Sequence, residues 1–264
     1  MSAITFTLVQ TALHWEDKEA NLKMLSQKID AIKEPTQVVV LPEMFSTGFS
    51  MRPEALAEEM SGPTVQWMQQ TAARKKIIVT GSVIIKEADA YYNRMIWMQP
   101  NGQCGYYDKR HRFAFAGEDE HYTAGSKRFI ASVNSFKLNL LVCYDLRFPV
   151  WARQQPQEGQ DFEYDILLYV ANWPQRRSHA WKTLLQARAI ENQSYVIGVN
   201  RVGDDGNGIY HSGDSMVVDP LGEVLYHKGD DEDLFTITIK KEDLNTVREK
   251  FQFWRDRDDF EILL

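Results

Sequence analysis

The sequence predicts an α/β protein built as a four-layer α-β-β-α sandwich, two mixed sheets face to face with helices outside. Three observations carry that expectation. Strand-like and helix-like segments alternate from the N-terminus onward. The apolar runs at 38–41 and 166–170 suit strands covered on both faces. Finally, Asn101-Gly102 lies between two strand-like stretches, a hairpin signal that adds antiparallel pairing to a parallel pattern.

Taken in order, Ile4, Phe6 and Leu8 alternate with Thr5 and Thr7, the period of a strand. Leu22, Leu25, Ile29 and Ile32 recur at helical spacing, and after Pro35 the run 38–41 is a strand ended by Pro42. Gly62-Pro63 opens a helix bearing Val65, Trp67, Met68 and Ala72, and 77–85 is the next strand. RMIWMQP and QCGYYDK flank Asn101-Gly102 as the arms of a two-residue hairpin. Strands follow at 128–133, 138–143 and 166–170, then a helix over 177–192 with Trp181, Leu184, Leu185 and Arg188 on one side, then a strand at 195–200. Segments 215–219, 223–226 and 234–239 read as late hairpin strands around Pro220-Leu221-Gly222.

No repeat, low-complexity tract or linker divides the 264 residues, so one domain over 1–264 is expected. From about Arg248 the aromatics Phe251, Phe253, Trp254 and Phe260 stand among charges, as in an arm that packs on a neighbour. Thirty Lys and Arg against 37 Asp and Glu give a net charge of −7, which argues against nucleic acid or an anionic membrane as partner. The apolar runs fall far short of the ~20 residues of a spanning helix, and MSAITFTLVQ alternates like a strand and lacks the parts of a signal peptide. A cytoplasmic protein is expected, with Cys104 and Cys143 as free thiols.

Three residues carry the chemistry. Cys143 closes an apolar strand and runs straight into Tyr144-Asp145-Leu146-Arg147-Phe148-Pro149, a sharp turn into a helix, where a thiolate is favoured. Glu43 follows the buried run 38–41, an unusual place for a carboxylate unless it is paired or used. Lys109 stands beyond the hairpin in Asp108-Lys109-Arg110-His111-Arg112, a cluster that taken alone reads as a solvated loop. If the three share one rim they supply a base, a cation and a thiol. A free thiol and a free carboxylate differ by about four pKa units, roughly 5 to 6 kcal/mol of uphill proton transfer, which burial must narrow.

Glu at a strand end, Lys in DKRH and Cys in VCYDLRFP resemble the Glu-Lys-Cys triad of the nitrilase, or carbon-nitrogen hydrolase, superfamily. LPEMF, DKRH, VCYDLRFP, ANWP, ARAIENQ, NRVG and the GDS-x-VVDPLGE stretch occur in that order along nearly the whole chain, and VCYDLRFPVWAR, VANWP and RAIENQSYVIGVNRVG are most similar to the ω-amidase (2-oxoglutaramate amidase) branch. The resemblance implies the α-β-β-α fold, a homodimer, no metal and no cofactor. It also implies a second glutamate that orients the lysine: counting back from Gly125 gives Glu118, with Glu120 close by. The implied reaction is attack of Cys143 on a primary amide, Lys109 and the Tyr144 N–H holding the oxyanion, and Glu43 moving the proton.

A short 2-oxo acid amide, the substrate that branch implies, needs a partner for its far carboxylate. Trp173 is a candidate pocket wall, with Phe115 and Tyr144 behind it. Arg147 is a candidate contact whose place beside Asp145 equally suits a structural ion pair, and Arg176 and Arg177 stand near a helix start. His111 and His179 are conceivable papain-like partners for Cys143, though nothing in the sequence selects either. Competing readings are another nitrilase-type amidase, nitrilase or carbamoylase, a metal-dependent phosphoesterase using Glu43, Asp145 and Asp214, and an inactive binding protein of the same fold.

Overall fold

The computed structural model describes residues 2–156 and 158–263. The chain opens with β1 (Ala3–Gln10), α1 (Lys18–Asp30) and β2 (Val38–Val40), then α2 (Pro53–Leu56) and α3 (Pro63–Lys75). Three strands follow in succession, β3 (Ile78–Glu87), β4 (Ala90–Met98) and β5 (Cys104–Asp108). Next come α4 (Glu118–His121), β6 (Ile130–Val133), β7 (Phe136–Val142), α5 (Pro149–Ala152) and β8 (Ile166–Ala171). The last third holds α6 (Ser178–Asn192), β9 (Tyr195–Asn200), β10 (Val202–Asp204), β11 (Tyr210–Val218), β12 (Val224–Gly229), β13 (Asp233–Lys240) and α7 (Lys241–Lys250).

Two mixed sheets result. One has six strands in the order β13-β1-β2-β3-β4-β5; the other has seven, β10-β11-β9-β8-β7-β6 with β12 on β11. Parallel pairing joins β1, β2 and β3, and again β7, β8 and β9. Side-chain alternation shows where each face goes. Val38 and Val40 join Phe6, Leu8, Leu138 and Leu140 in the core between the sheets. Val39 and Leu41 point the other way, onto Leu25 and Ile29 of α1 and Val65 and Met68 of α3. That is why 38–41 is apolar throughout.

The outer helices are set by local chemistry. The Asp17 side chain accepts the Ala20 N–H at 3.0 Å and caps α1, while Pro63 starts α3 at a position where no N–H is needed. On the far side, α6 lays Trp181, Leu185 and Ala189 on the second sheet. Gly198 permits that approach, since a Cβ there would lie 2.7 Å from Leu185 and 2.8 Å from Trp181. The predicted four layers are therefore present.

Several boundaries differ from expectation. β4 ends at Met98 and β5 starts at Cys104, so Asn101-Gly102 belongs to a longer loop closed by the Gln99 N–H on the Gln103 carbonyl, with Gly102 at φ 84°. β11 and β12 form a late hairpin, but β13 leaves it and pairs antiparallel with β1 in the other sheet, Leu8 opposite Phe235. The turn after Cys143 is a 3₁₀ turn over Cys143–Arg147, followed by a single turn of α-helix. In the arm, Trp254 packs on Phe162 with ring centroids 5.5 Å apart and the Phe260 carbonyl accepts from Gln155, so much of it lies on its own chain. No described helix is long and apolar enough to cross a membrane.

Candidate active site

Each residue of the expected triad stands just past the end of a strand: Glu43 after β2, Lys109 after β5 and Cys143 after β7. The Lys109 Nζ donates to Glu43 Oε1 at 2.9 Å and to both oxygens of Glu118, at 2.9 and 2.8 Å. All three groups are essentially sealed from solvent. Of the two candidate glutamates, Glu118 is the one in contact with Lys109, and it also accepts the Phe113 N–H at 2.5 Å, whereas Glu120 is exposed. Gly125 explains part of this placement. Its N–H donates to the Lys109 carbonyl, and a Cβ there would come within 2.0 Å of the Asp108 carbonyl oxygen.

Cys143 is held at φ 46°, in the left-handed region that a side chain avoids without strong constraint, and it lines a cavity. Burial raises the thiol well above its ordinary range; Glu43 adds to this and Lys109 opposes it. Desolvation and the two nearby carboxylates, Glu43 and Glu118, outweigh the pull of the Lys109 ammonium toward thiolate. For Lys109 the balance runs the other way: burial disfavours the charge, but Glu118, Glu43 and the thiol together keep the ammonium above its usual range. Burial also raises Glu118, with Lys109 acting against the shift and Glu43 adding to it.

Three residues complete the frame: Asn93 and Asn172, to which the sequence assigns nothing, and Asp145, whose partners differ from those expected. Asn93 donates to Glu43 Oε1 at 2.8 Å and to Glu118 Oε1 at 3.3 Å, bridging the carboxylates. Asn172, inside ANWP, donates its backbone N–H to Glu43 Oε2 at 2.8 Å. Asp145 accepts the Val142 N–H at 3.0 Å, the His111 N–H at 2.9 Å, the Tyr107 hydroxyl at 2.8 Å and lies 2.8 Å from His111 Nδ1. Asp145 therefore ties the Lys109 loop to the Cys143 turn. It does not pair with Arg147, correcting the ion pair suggested by their spacing. Arg188 of α6 braces the same turn by donating to the Leu146 carbonyl at 2.7 Å. A lone Asn, in a hairpin strand or just past a strand end, carries no sequence signal of such a role.

The cavity over Cys143 has a volume of about 520 Å³, and Tyr144, Trp173, Phe115 and Arg147 all line it. Tyr144 meets Phe113 and Phe148 edge-on, with centroids 5.0 Å apart in each case. His111 stacks on Phe148 at 3.8 Å and is bonded to Asp145, which does not fit a proton partner for the thiol. Asp214 is occupied elsewhere, by Ser178, Ser212, Lys182 and His227. Among the described residues no group of three His, Cys, Asp or Glu is arranged to hold a metal ion.

Two facing sheets with Glu, Lys and Cys gathered at their strand ends define a class of cysteine-dependent hydrolase folds, and the chain belongs to the carbon-nitrogen hydrolase family, whose model matches residues 5–249. Among its relatives, the ω-amidase YafV of Yersinia enterocolitica is 41% identical over the full length of both chains. The 2-oxoglutaramate amidase of Bacillus subtilis is 31% identical over 96% of each. A CN-hydrolase superfamily protein of Xanthomonas campestris, crystallised with an arsenic adduct in its active site, superposes with a TM-score of 0.95 at 41% identity, covering 99% of this chain and 100% of that one.

Proposed function

We propose that this amide-hydrolysing enzyme is an ω-amidase that converts 2-oxoglutaramate or 2-oxosuccinamate to the 2-oxo dicarboxylate and ammonia through a thioester on Cys143. The observation that carries the reading is the contact of Lys109 with both Glu43 and Glu118 on the floor of a cavity that Cys143 lines. The relatives named ω-amidase and 2-oxoglutaramate amidase support the substrate class.

The geometry gives each atom a task. Glu43 Oε1 is occupied by Lys109 and Asn93, whereas Oε2 takes only the Asn172 N–H and has a lone pair left for the thiol proton. Sulfur attacks the amide carbon as Glu43 takes its proton, so no stable thiolate is required beforehand. Lys109, fixed by Glu118, and the Tyr144 N–H stabilise the oxyanion. Glu43 passes the proton to the departing nitrogen as the C–N bond breaks, ammonia leaves, and the thioester remains. A water then gives one proton to Glu43 and attacks the thioester; collapse breaks the C–S bond, returns that proton to sulfur and releases the carboxylic acid, which ionises in solution where the released ammonia takes up its proton.

The rest of the reading is one domain over 1–264, acting in the cytoplasm without a cofactor, as a homodimer. The two free cysteines support a reducing compartment. Ile190, Leu225 and Phe253, each about half exposed or more, supply apolar surface for a second copy. Sedimentation at micromolar concentration tests the dimer. The activity is tested by ammonia release from 2-oxoglutaramate, glutamine, asparagine, succinamate, an N-carbamoyl acid and a nitrile, with mass spectrometry for an acyl group on Cys143. The expected result is preference for the 2-oxo amide and loss of both turnover and adduct in Cys143→Ala. Turnover retained in Cys143→Ala overturns the nucleophile, and preference for another member of the panel overturns the substrate class.

A further inference from the structure

Glu43 and Glu118 share the ammonium of Lys109 in a place sealed from solvent. Two buried carboxylates around one cation favour uptake of a proton by one of them, which would remove a base. A second donor reaches both. It is the amide of Asn93, itself buried, with Nδ2 2.8 Å from Glu43 Oε1 and 3.3 Å from Glu118 Oε1. An amide NH₂ carries two hydrogens, so one is available for each glutamate. Turning the group over would set its oxygen against both carboxylates, and charge therefore fixes its direction. Among the described residues Oδ1 meets no donor, so the amide enters the cluster as a donor alone.

The strand holds the amide in place. Asn93 lies on β4, opposite Ile84 of β3, and its carbonyl accepts the Lys109 N–H at 3.0 Å. The next residue, Arg94, is opposite Asp108 of β5 and donates to both of its carboxylate oxygens, at 2.7 and 2.9 Å, with its guanidinium 3.8 Å from the Tyr106 ring centroid. Successive side chains of a strand point to opposite faces, so this ion pair fixes on one face the register that sets Asn93 beside Lys109 on the other. Asn93 is not among the residues that line the cavity over Cys143. It reaches the chemistry only through the carboxylates.

We propose that Asn93 is a positioning residue of the reaction, whose amide keeps Glu43 and Glu118 ionised together around Lys109, so that Glu43 can take the thiol proton at and below neutral pH. The task of Glu43 rests on the amidase reading; the charge balance of the cluster does not. Lys109 past β5, Cys143 past β7 and Tyr122 past α4 also face the two carboxylates. Burial carries Cys143 and Tyr122 upward. For Lys109 burial acts downward, and Glu118, Glu43 and the thiol more than reverse it. All three thus move away from acid pH, and a titration of the cluster below neutrality belongs to the carboxylate pair as a unit.

Two measurements test it. Asn93→Leu keeps much of the outline of the side chain and removes both donors, whereas Asn93→Ser keeps one. The first measurement is kcat/KM for 2-oxoglutaramate as a function of pH. Its acid limb is expected to move upward by about one pH unit in Asn93→Leu, and by less in Asn93→Ser, the size of effect for losing a hydrogen bond to a charged group. A merely structural role lowers the rate by one factor at every pH and leaves the limb in place, which overturns the proposal. The second measurement needs no substrate. It is NMR of protein labelled at the glutamate carboxyl carbons, with the signals of the pair identified by their loss in Glu43→Gln and Glu118→Gln. Their titration midpoints are expected to move upward by a similar amount, and unmoved midpoints overturn the proposal. Melting temperatures check the fold, and where the leucine variant does not fold the serine variant carries both tests. Midpoints that move in an enzyme inert toward 2-oxoglutaramate uphold the role of Asn93 in the cluster and overturn the ω-amidase reading instead.

Discussion

Asn172 and Glu43, 129 residues apart in sequence, are joined twice: the Asn172 N–H donates to Glu43 Oε2 at 2.8 Å, and its side-chain Nδ2 donates to the Glu43 carbonyl at 2.6 Å. Glu43 leaves β2 in one sheet and Asn172 follows β8 in the other, so the Glu43 carboxylate is fixed across the sandwich and not by its own strand alone. Both groups are buried, where an unmet donor or acceptor costs about 1–3 kcal/mol.

Asn172→Asp keeps the size of the side chain but sets a carboxylate against the Glu43 carbonyl and beside a second carboxylate. The expected outcome is a fall in kcat of at least about tenfold, equivalent to about 1.4 kcal/mol of barrier, with a lowered melting temperature. Asn172→Ala, which only loses the Nδ2 bond, is expected to cost less activity. Steady-state ammonia release and thermal melts of the two variants check the order; wild-type kcat in the aspartate variant contradicts the bracing role.

Glu43→Gln retains an acceptor for Lys109 but cannot accept the thiol proton. Turnover is expected to fall on the order of 10²- to 10⁴-fold, the range for removing a positioned general base. Iodoacetamide labels pre-existing thiolate, so alkylation of Cys143 is expected to persist and to speed up at neutral pH, because Glu43 is one of the charges that raise the thiol. Labelling rates from intact-mass spectrometry read this directly, and a slower rate in the glutamine variant runs against it.

Asp145→Asn tests the clamp between the Lys109 loop and the Cys143 turn. The amide cannot accept from the His111 N–H, the Val142 N–H and the Tyr107 hydroxyl as the carboxylate does. A loss of about 3 kcal/mol in unfolding free energy is expected, as for breaking a buried charged network. Chemical denaturation at pH 7 measures it, and a loss below about 1 kcal/mol shows the clamp to be dispensable.

How much of this was legible follows from which residues advertise themselves. The doubly buried strand at β2 and the helix α6 were visible because burial on one or both faces imposes a period on the sequence. β13 reads from the sequence as one more late hairpin strand because its pairing with β1, at the other end of the chain, leaves no local mark. Glu43, Lys109 and Cys143 stood out as charge or thiol beside apolar strands. Asn93 and Asn172 did not, since an asparagine inside a folded chain looks like any turn or surface residue until its donors are seen on a carboxylate. The Arg147 and Asp145 pairing inferred from proximity in sequence failed for a related reason: on a 3₁₀ turn the two side chains diverge, one into the cavity and one into the protein.

His211 offers a pH test independent of the nucleophile. It lines the cavity, is buried, and has Nδ1 3.3 Å from the Gly203 carbonyl. Burial lowers its pKa from 6.5 to about 4; Arg201 adds to the shift, and Asp205 with the carbonyls of Gly203 and Ile209 opposes it. Between those two values the unfolded chain carries a proton on His211 that the folded protein does not, so stability rises with pH across the window and is lost as pH falls through it. The full effect is on the order of 3 kcal/mol. His211→Gln removes the titration, so between pH 7 and 4.5 the wild type is expected to lose about 2–3 kcal/mol more unfolding free energy than the variant. Urea titrations at the two pH values decide the matter: parallel losses in both proteins exclude His211 as the source, and a larger loss in the variant reverses the sign of the argument.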